Sequence, residues 1–173
     1  MAKFVKVPLQ DLLIAQEVAG ATVVGGLTLG DTSALSVGDY VHDTTGPAYA
    51  TITVIVSPTE VTLSADICVL NDVVDIYSAT VSGTSRTISA ERFLLAEQGP
   101  AAANALGVTT INYASGGKDI LTVTHAGNLL ATTTVALAFE TAIIEAFSNG
   151  TRPSNYSTLV MPTGTGIFTL AIA

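Results

Sequence analysis

The chain is poor in the residues that usually carry chemistry. It contains no tryptophan, one cysteine and two histidines among 173 residues. The single cysteine, Cys68, excludes an internal disulfide and offers no zinc-type spacing, and its place in the apolar run Ile67–Leu70 predicts a small buried hydrophobe. The Gly-x-Ser-x-Gly pattern is absent, and no serine, histidine and aspartate fall together on recognisable elements. We therefore expect no enzyme, no cofactor and no metal site.

Charged residues are also scarce. They make up 12% of the chain, against roughly a quarter in an ordinary soluble domain. The fourteen acidic residues outnumber six scattered basic ones, for a net charge of −8. Because phosphate binding needs a concentrated positive face, we expect no direct contact with nucleic acid. The low charge content together with 49% hydrophobic residues predicts a surface covered by copies of the chain or by a partner. A monomeric sheet protein coated with threonine and serine is the alternative.

Long apolar runs are missing as well. Threonine, glycine or aspartate interrupts every apolar stretch well short of the ~20 residues that a membrane helix needs. The start of the chain lacks the charged, apolar and small-residue regions of a secretion signal. We expect a protein made in the cytoplasm that does not span a membrane.

What the sequence does contain is a clear β pattern between Leu35 and Ser78. Val37–Val41 predicts one strand, and Tyr49–Val56 alternates. In that alternation Ala50, Ile52, Val54 and Val56 share one face, and Tyr49, Thr51 and Thr53 share the other. Phe4–Leu9 predicts an additional strand, placed at a sheet edge because Pro8 cannot donate to a ladder. Residues 10–19 fit either a helical turn or a strand. Residues 1–80 thus predict a small β-barrel or sandwich-like unit.

The second half predicts a different kind of unit. Residues 81–88 are low in large apolar side chains and rich in serine, threonine and glycine, so they are expected to be a linker, followed by a unit over 89–173. Thr109–Tyr113 and Ile120–Thr124 predict a hairpin, and Leu159–Met161 and Ile167–Ile172 predict closing strands. Between them, Thr132–Phe147 predicts one helix. Its expected apolar stripe consists of Val135, Phe139, Ala142, Ile143, Ala146 and Phe147. The result is a mainly β chain with an α+β (β-β-α-β-β) second unit.

Two nine-residue segments resemble each other across the halves. Each of Leu9–Glu17 and Ala90–Gln98 has a polar pair, three large apolar residues, an alanine and two acid or amide side chains. The likeness is too short to establish a duplication.

The few titratable candidates have ordinary interpretations. His42 shares strand parity with Tyr40, which predicts a solvent-facing or interface histidine, and His125 is expected at a strand end, partly buried at the rim of a sheet. Asp66, Asp72 and Asp75 could approach one another as calcium ligands do, but their spacing is not that of an EF-hand loop. We interpret them as turn residues.

In the strands between Leu35 and Ser78, the face opposite the apolar side chains carries few charges and is expected to contact another protein. The first and last strands of the chain are expected to do the same. Edge strands there could add to a neighbouring sheet. The candidate interface residues are Phe4, Val5, Val7, Tyr40, His42, Tyr49, Thr51, Thr53, Tyr77, Ile167, Phe168, Leu170 and Ile172.

Short segments with a β-strand pattern run through most of the chain. They are Met1–Pro8, Val37–Val41, Thr62–Ile67, Asp75–Tyr77, Ile111–Gly117 and Leu121–Ala126. In these segments the sequence resembles small virion structural proteins of tailed bacteriophages. The resemblance implies a non-enzymatic, homo-oligomeric virion protein, a capsid decoration or cement protein or minor head protein, that contacts the major capsid protein or other virion proteins. A tail or head-fibre component, or a carbohydrate- or cell-surface-binding module, is the alternative. The resemblance assigns no functional residues to this chain.

Overall fold

A computed structural model describes residues 3–21, 25–46, 48–81, 83–99, 104–114, 120–126, 135–148 and 156–172. Within these ranges the chain forms fourteen strands and one α-helix. The prediction of a mainly β protein with a single helix is therefore confirmed.

The elements follow one another along the chain as β1 (Phe4–Pro8), β2 (Leu12–Glu17), β3 (Gly20–Ala21), β4 (Gly26–Thr28), β5 (Tyr40–Asp43), β6 (Ala48–Ser57), β7 (Glu60–Leu63), β8 (Val73–Tyr77), β9 (Ser85–Ser89), β10 (Phe93–Gln98), β11 (Gly107–Tyr113), β12 (Ile120–Ala126), α1 (Val135–Ser148), β13 (Tyr156–Thr158) and β14 (Gly166–Ile172).

The chain divides into two compact units, one inserted into the other in sequence. The helix unit comprises Met1–Leu9, Gly83–Ala101 and Gly107–Ala173, and the sheet unit comprises Gln10–Ser82 and Ala102–Leu106. This division differs from the expected one, because the first nine residues belong with the second half. Sequence order hid this, since the pairing that unites them joins residues about 150 positions apart.

The first strand is central rather than at an edge. β1 lies between β13, to which it is parallel, and β9, to which it is antiparallel. The edge prediction was wrong because Pro8 is the last residue of β1, where its missing N–H interrupts no ladder. β9 lies largely within the expected linker, residues 81–88, so half of that linker is a strand. Its composition gave no sign of this, because β9 is held by backbone pairing with β1 rather than by buried side chains.

The helix unit also holds a four-stranded sheet in the order β10-β11-β12-β14. The predicted hairpin is confirmed as the antiparallel pair β11 and β12. α1 packs on this unit through Val135, Ala136, Phe139, Ala142, Ile143 and Ala146. Phe147 is instead half-exposed, so its place in the apolar stripe was wrong, and the expected helix start at Thr132 lies outside the described residues. The first closing strand also falls earlier than predicted, at β13, although Leu159 is buried in the core.

The sheet unit is one curled sheet in the order β2-β8-β5-β6-β7-β4-β3. Its two end strands, β2 and β3, are separated in the chain by Val18 and Ala19 alone, which brings the two edges of the sheet back towards each other. Val18, Val41, Ile52 and Ile76 belong to the core that the curl encloses. Among the described strands the hydrogen bonds do not close a barrel. Residues 12–17, which fitted either a helical turn or a strand, form β2.

The two similar segments adopt similar structures. β2 and β10 are each the end strand of a sheet, and each pairs antiparallel with one neighbour. Both ladders shift register at the second residue of the strand, Leu13 in β2 and Leu94 in β10. Equivalent leucines thus occupy equivalent bulges, and both are exposed.

Candidate functional site

Cross-strand pairing places the polar aromatic residues of the sheet unit in adjacent rows. His42 on β5 lies opposite Tyr49 on β6 and Asp75 on β8. Tyr40, two residues before His42, lies opposite Thr51 and Tyr77 on the same two strands. Directly opposite residues of a ladder share a face. The sequence prediction that these side chains share one face is therefore confirmed.

A bulge at Thr53 changes which side chains of β6 reach that face. Ile52 pairs with Leu63 and Val54 pairs with Thr62, which leaves Thr53 as the extra residue. Beyond the bulge Ile55 lies opposite Val61, which is fully buried. Val54 therefore points to the side away from Val61. A second register shift leaves Val56 as an extra residue between Ile55 and Ser57, where it is 53% exposed. The assignment of both valines to the core face was wrong.

The end of β6 consequently displays three consecutive apolar side chains. Val54, Ile55 and Val56 are 50%, 38% and 53% exposed. A half-buried strand normally alternates apolar and polar residues, so this run departs from the pattern of a strand that faces water on one side. The outer face is defined here as Tyr40, His42, Tyr49, Thr51, Val54, Val56, Asp75 and Tyr77.

The outer face is almost uncharged at neutral pH. Burial lowers the pKa of His42, and the nearby carboxylates of Asp75 and Asp43 only partly oppose that effect. Burial raises the pKa of Tyr40 and of Tyr77, and for Tyr77 the negative charge of Asp75 and a hydrogen bond to it act in the same direction. Asp75 is the one acidic residue of the outer face, which contains no lysine or arginine.

The predicted interface residues of the sheet unit are not equally accessible. Tyr40 and Tyr77 are buried, His42, Tyr49 and Thr51 are half-buried, and Thr53 is exposed. The accessible part of the outer face is therefore its centre at His42 and Tyr49 and its apolar end at Val54 and Val56.

In the helix unit most of the predicted interface residues are core residues. Val5, Val7 and Ile167 have no exposed surface, and Phe168 is buried. They cannot touch a partner directly, and the alternation that placed them in strands also explains their burial. Ile172 is exposed and Leu170 is half-buried, while Phe4 is half-buried and its ring stacks on Tyr156 with centroids 5.6 Å apart.

His125 is an internal structural residue. It is fully buried, not partly buried at a rim as expected. Nδ1 lies 3.3 Å from the Ala126 carbonyl oxygen, which can only accept, so Nδ1 carries the proton and Nε2 accepts from the Thr109 hydroxyl at 3.1 Å. Burial lowers the pKa of His125. A neutral imidazole satisfied on both nitrogens has no free atom for a ligand.

Buried aspartates of the sheet unit fasten turns and loops. The Asp39 carboxylate accepts hydrogen bonds from the Ser36 and Ala79 backbone N–H groups at 2.7 and 2.8 Å. Asp72 accepts from Val69 N–H at 2.7 Å. Across the described ranges no group of three or more histidine, cysteine, aspartate or glutamate side chains is placed to hold a metal ion.

The surface of α1 was not anticipated from the sequence. Two grooves of about 240 and 380 Å³ flank it, and Leu137, Ile144 and Phe147 line them. Leu137 and Ile144 lie outside the predicted apolar stripe, and that excess of apolar residues was the available signal. The described helix is not long and apolar enough to cross a membrane.

No known protein family, curated protein or solved structure matches the chain.

Proposed function

We propose that this protein is a non-enzymatic structural component of a virion, a capsid decoration or cement protein or a minor head protein. It stabilises a multi-copy assembly through contacts with the major capsid protein or other virion proteins. The outer face of the sheet unit is the contact surface, and it replaces the wider interface suggested by the sequence.

The observation that carries this proposal is the apolar end of the outer face. The half-exposed Val54 and Val56 adjoin a sheet surface whose one acidic residue is Asp75, and Ile55 between them is also exposed. Apolar surface bordered by neutral polar groups is typical of protein-binding sites. Covering such a surface with a partner removes apolar area from water, which is favourable, and few charges have to be desolvated.

The energy of one such contact is modest. Fully burying an exposed valine contributes roughly 1.5–3 kcal/mol, so half-exposed Val54 and Val56 would each contribute about half of that. A shell that repeats the contact many times gains from multivalency without any single tight site. This suits a protein that reinforces an assembly rather than one that captures a scarce ligand.

A fibre component or carbohydrate-binding module is the second candidate. Its support is the stacked pair of Phe4 and Tyr156, in which Tyr156 keeps an exposed ring of the kind that packs on sugars. Binding on a glycan array that is lost in Tyr156→Ala and retained in Val54→Asp would favour this function over the first.

The test of the first proposal is add-back to purified particles that lack the protein. Wild-type chain is expected to bind to saturation, and a Val54→Asp, Val56→Asp double variant is expected to bind at least tenfold more weakly. The matched control is Val69→Asp, which also places a carboxylate at an exposed valine of the sheet unit but lies outside the outer face. Equal binding by the double variant and the wild type would reject the outer face as the contact.

A further inference from the structure

α1 has a second apolar side that faces away from the core. Leu137, Ile144 and Phe147 are 50%, 63% and 50% exposed. Leu137 and Ile144 are seven residues apart and Phe147 follows three later, the spacing by which one helix presents a seam to another. The helix therefore forms an apolar ridge.

The two grooves give this ridge complementary hollows on either side. Val160 and Leu137 line the groove on one flank, together with Glu145. Ile144 and Phe147 line the other, together with Glu140 and Arg92. A ridge bordered by apolar grooves can pack against its own copy, since each ridge then enters a groove of the other helix.

The charges on the Arg92 flank favour one arrangement. In a two-fold pair with antiparallel helices, the same flank of each copy faces the other. If the axis passes near Ile144, Glu140 lies opposite Ser148, which lines the groove shared with Arg92. Two Arg92–Glu140 pairs then form across the axis. On the other flank, Glu145 already accepts a hydrogen bond from the Ser157 hydroxyl at 3.1 Å within its own chain.

The Arg92 backbone is held in a tight turn. Arg92 has φ of 62°, in the left-handed region that glycine and asparagine usually fill. Its carbonyl oxygen accepts a hydrogen bond from Ala114 N–H at 2.6 Å, which holds the turn in place. The turn therefore fixes the Arg92 backbone beside the groove that Glu140 also lines.

We propose that α1 of one copy pairs antiparallel with α1 of a second copy, with Arg92 of each facing Glu140 of the other. A helix of fourteen residues is about 21 Å long, so the contact is smaller than the roughly 800 Å² per partner of a standard interface. The pair is therefore a weak dimer. The inference rests on the proposed function in one respect, that copies of the chain meet within an assembly.

The first experiment measures sedimentation of the purified full chain over a range of concentrations. Wild type is expected to shift reversibly from monomer to dimer. Ile144→Asp is expected to weaken dimerisation at least tenfold, and Val69→Asp, at a similarly exposed position of the sheet unit, is expected to leave it unchanged. Unchanged dimerisation of Ile144→Asp would overturn the proposal.

The second experiment tests the arrangement by charge reversal. Arg92→Glu alone and Glu140→Arg alone are each expected to dimerise poorly, because like charges then face each other across the axis. A mixture of the two variants is expected to recover dimers, because every facing pair in the mixed dimer is again opposite in sign. The matched control is Glu145→Arg alone, which reverses a charge on the other flank and is expected to dimerise as the wild type does. A mixture of Arg92→Glu and Glu140→Arg that recovers no dimers, or a loss of dimerisation in Glu145→Arg equal to that in Glu140→Arg, would overturn the antiparallel arrangement.

These outcomes separate the inference from the proposed function. Dimers that form as described but fail to bind particles support the inference and count against the virion role. A chain that stays monomeric while Ile144→Asp loses particle binding would show that another virion protein covers α1, which overturns pairing with a second copy.

Discussion

Gly107 and His125 face each other across β11 and β12, and a Cβ at position 107 would lie 2.6 Å from His125 Nδ1 and 2.9 Å from Nε2. The imidazole ring occupies the space that any other residue at position 107 would need. The fully buried His125 is thus accommodated by the absence of a side chain on its partner, and the two positions depend on each other.

Gly107→Ala is expected to destabilise the protein by about 1–3 kcal/mol, because His125 and its two hydrogen bonds must shift within a packed sheet. Urea unfolding measures the change. Gly99→Ala is the control, since its Cβ would meet the Val108 carbonyl oxygen at an ordinary 3.6 Å. Equal stability of Gly107→Ala and wild type would contradict the described packing of His125.

The free energy of unfolding is expected to fall as the pH is lowered from 7.5 to 5.5. Burial holds the pKa values of His125 and His42 below the ordinary 6.5. Above pH 6.5 both states are neutral at these positions, whereas below it the unfolded chain takes up protons that the folded chain does not. The slope is at most about 1.4 kcal/mol per pH unit for each histidine. Urea titrations at several pH values measure it, and His42→Gln should reduce it. Stability that rises on acidification in this range would contradict the burial of both rings.

Cys68 is expected to be unreactive in the folded protein. Burial, followed by the negative charges of Asp43, Asp72 and Asp66, raises the pKa of its thiol to about 12. At pH 8 the thiolate fraction is then on the order of 10⁻⁴. A thiol-reactive dye should label the native chain hardly at all and the chain in denaturant stoichiometrically. Rapid labelling of the native chain would show that Cys68 is accessible.

Asp39→Ala is expected to cost about 1–3 kcal/mol, because it leaves the N–H groups of Ser36 and Ala79 without their carboxylate acceptor. Asp39→Asn should cost less, since an amide oxygen can keep one of the two bonds. Thermal unfolding measures both. The exposed Asp66→Ala serves as control and should change stability by no more than about 0.5 kcal/mol. A loss in Asp66→Ala equal to that in Asp39→Ala would refute the special role of Asp39.

The bulge at Thr53 predicts opposite behaviour for two similar residues of β6. Ile52→Thr is expected to cost several kcal/mol, about 2–4, because Ile52 is buried in the core of the sheet unit. Val54→Thr is expected to change stability by less than about 0.5 kcal/mol, because Val54 lies on the outer face. Denaturant unfolding of both variants checks this. A similar loss of stability in the two variants would show that Val54 lies in the core and would contradict the bulge at Thr53.

The sequence was informative where local patterns decide the structure. The strand patterns of Thr109–Tyr113 and Ile120–Thr124 predicted the hairpin. The spacing of Val135, Phe139 and Ile143 predicted α1 and its buried side. The row of Tyr40, His42 and Tyr49 also followed from strand parity alone.

The remainder depends on features that no local pattern records. The bulge at Thr53 reverses the parity of β6, and a Thr-Val-Ile-Val run gives no sign of it. The central position of β1 depends on pairing between Phe4 and Tyr156, which lie at opposite ends of the chain. Phe147 has the spacing of a core residue, yet its exposure is set by which elements pack on α1.

The number of copies of this chain in purified particles tests the central claim most directly. Quantitative mass spectrometry of intact virions should find the chain in a fixed, multi-copy ratio to the major capsid protein. Absence from the particles, or an amount that varies between preparations and washes away, would contradict a structural role in the virion.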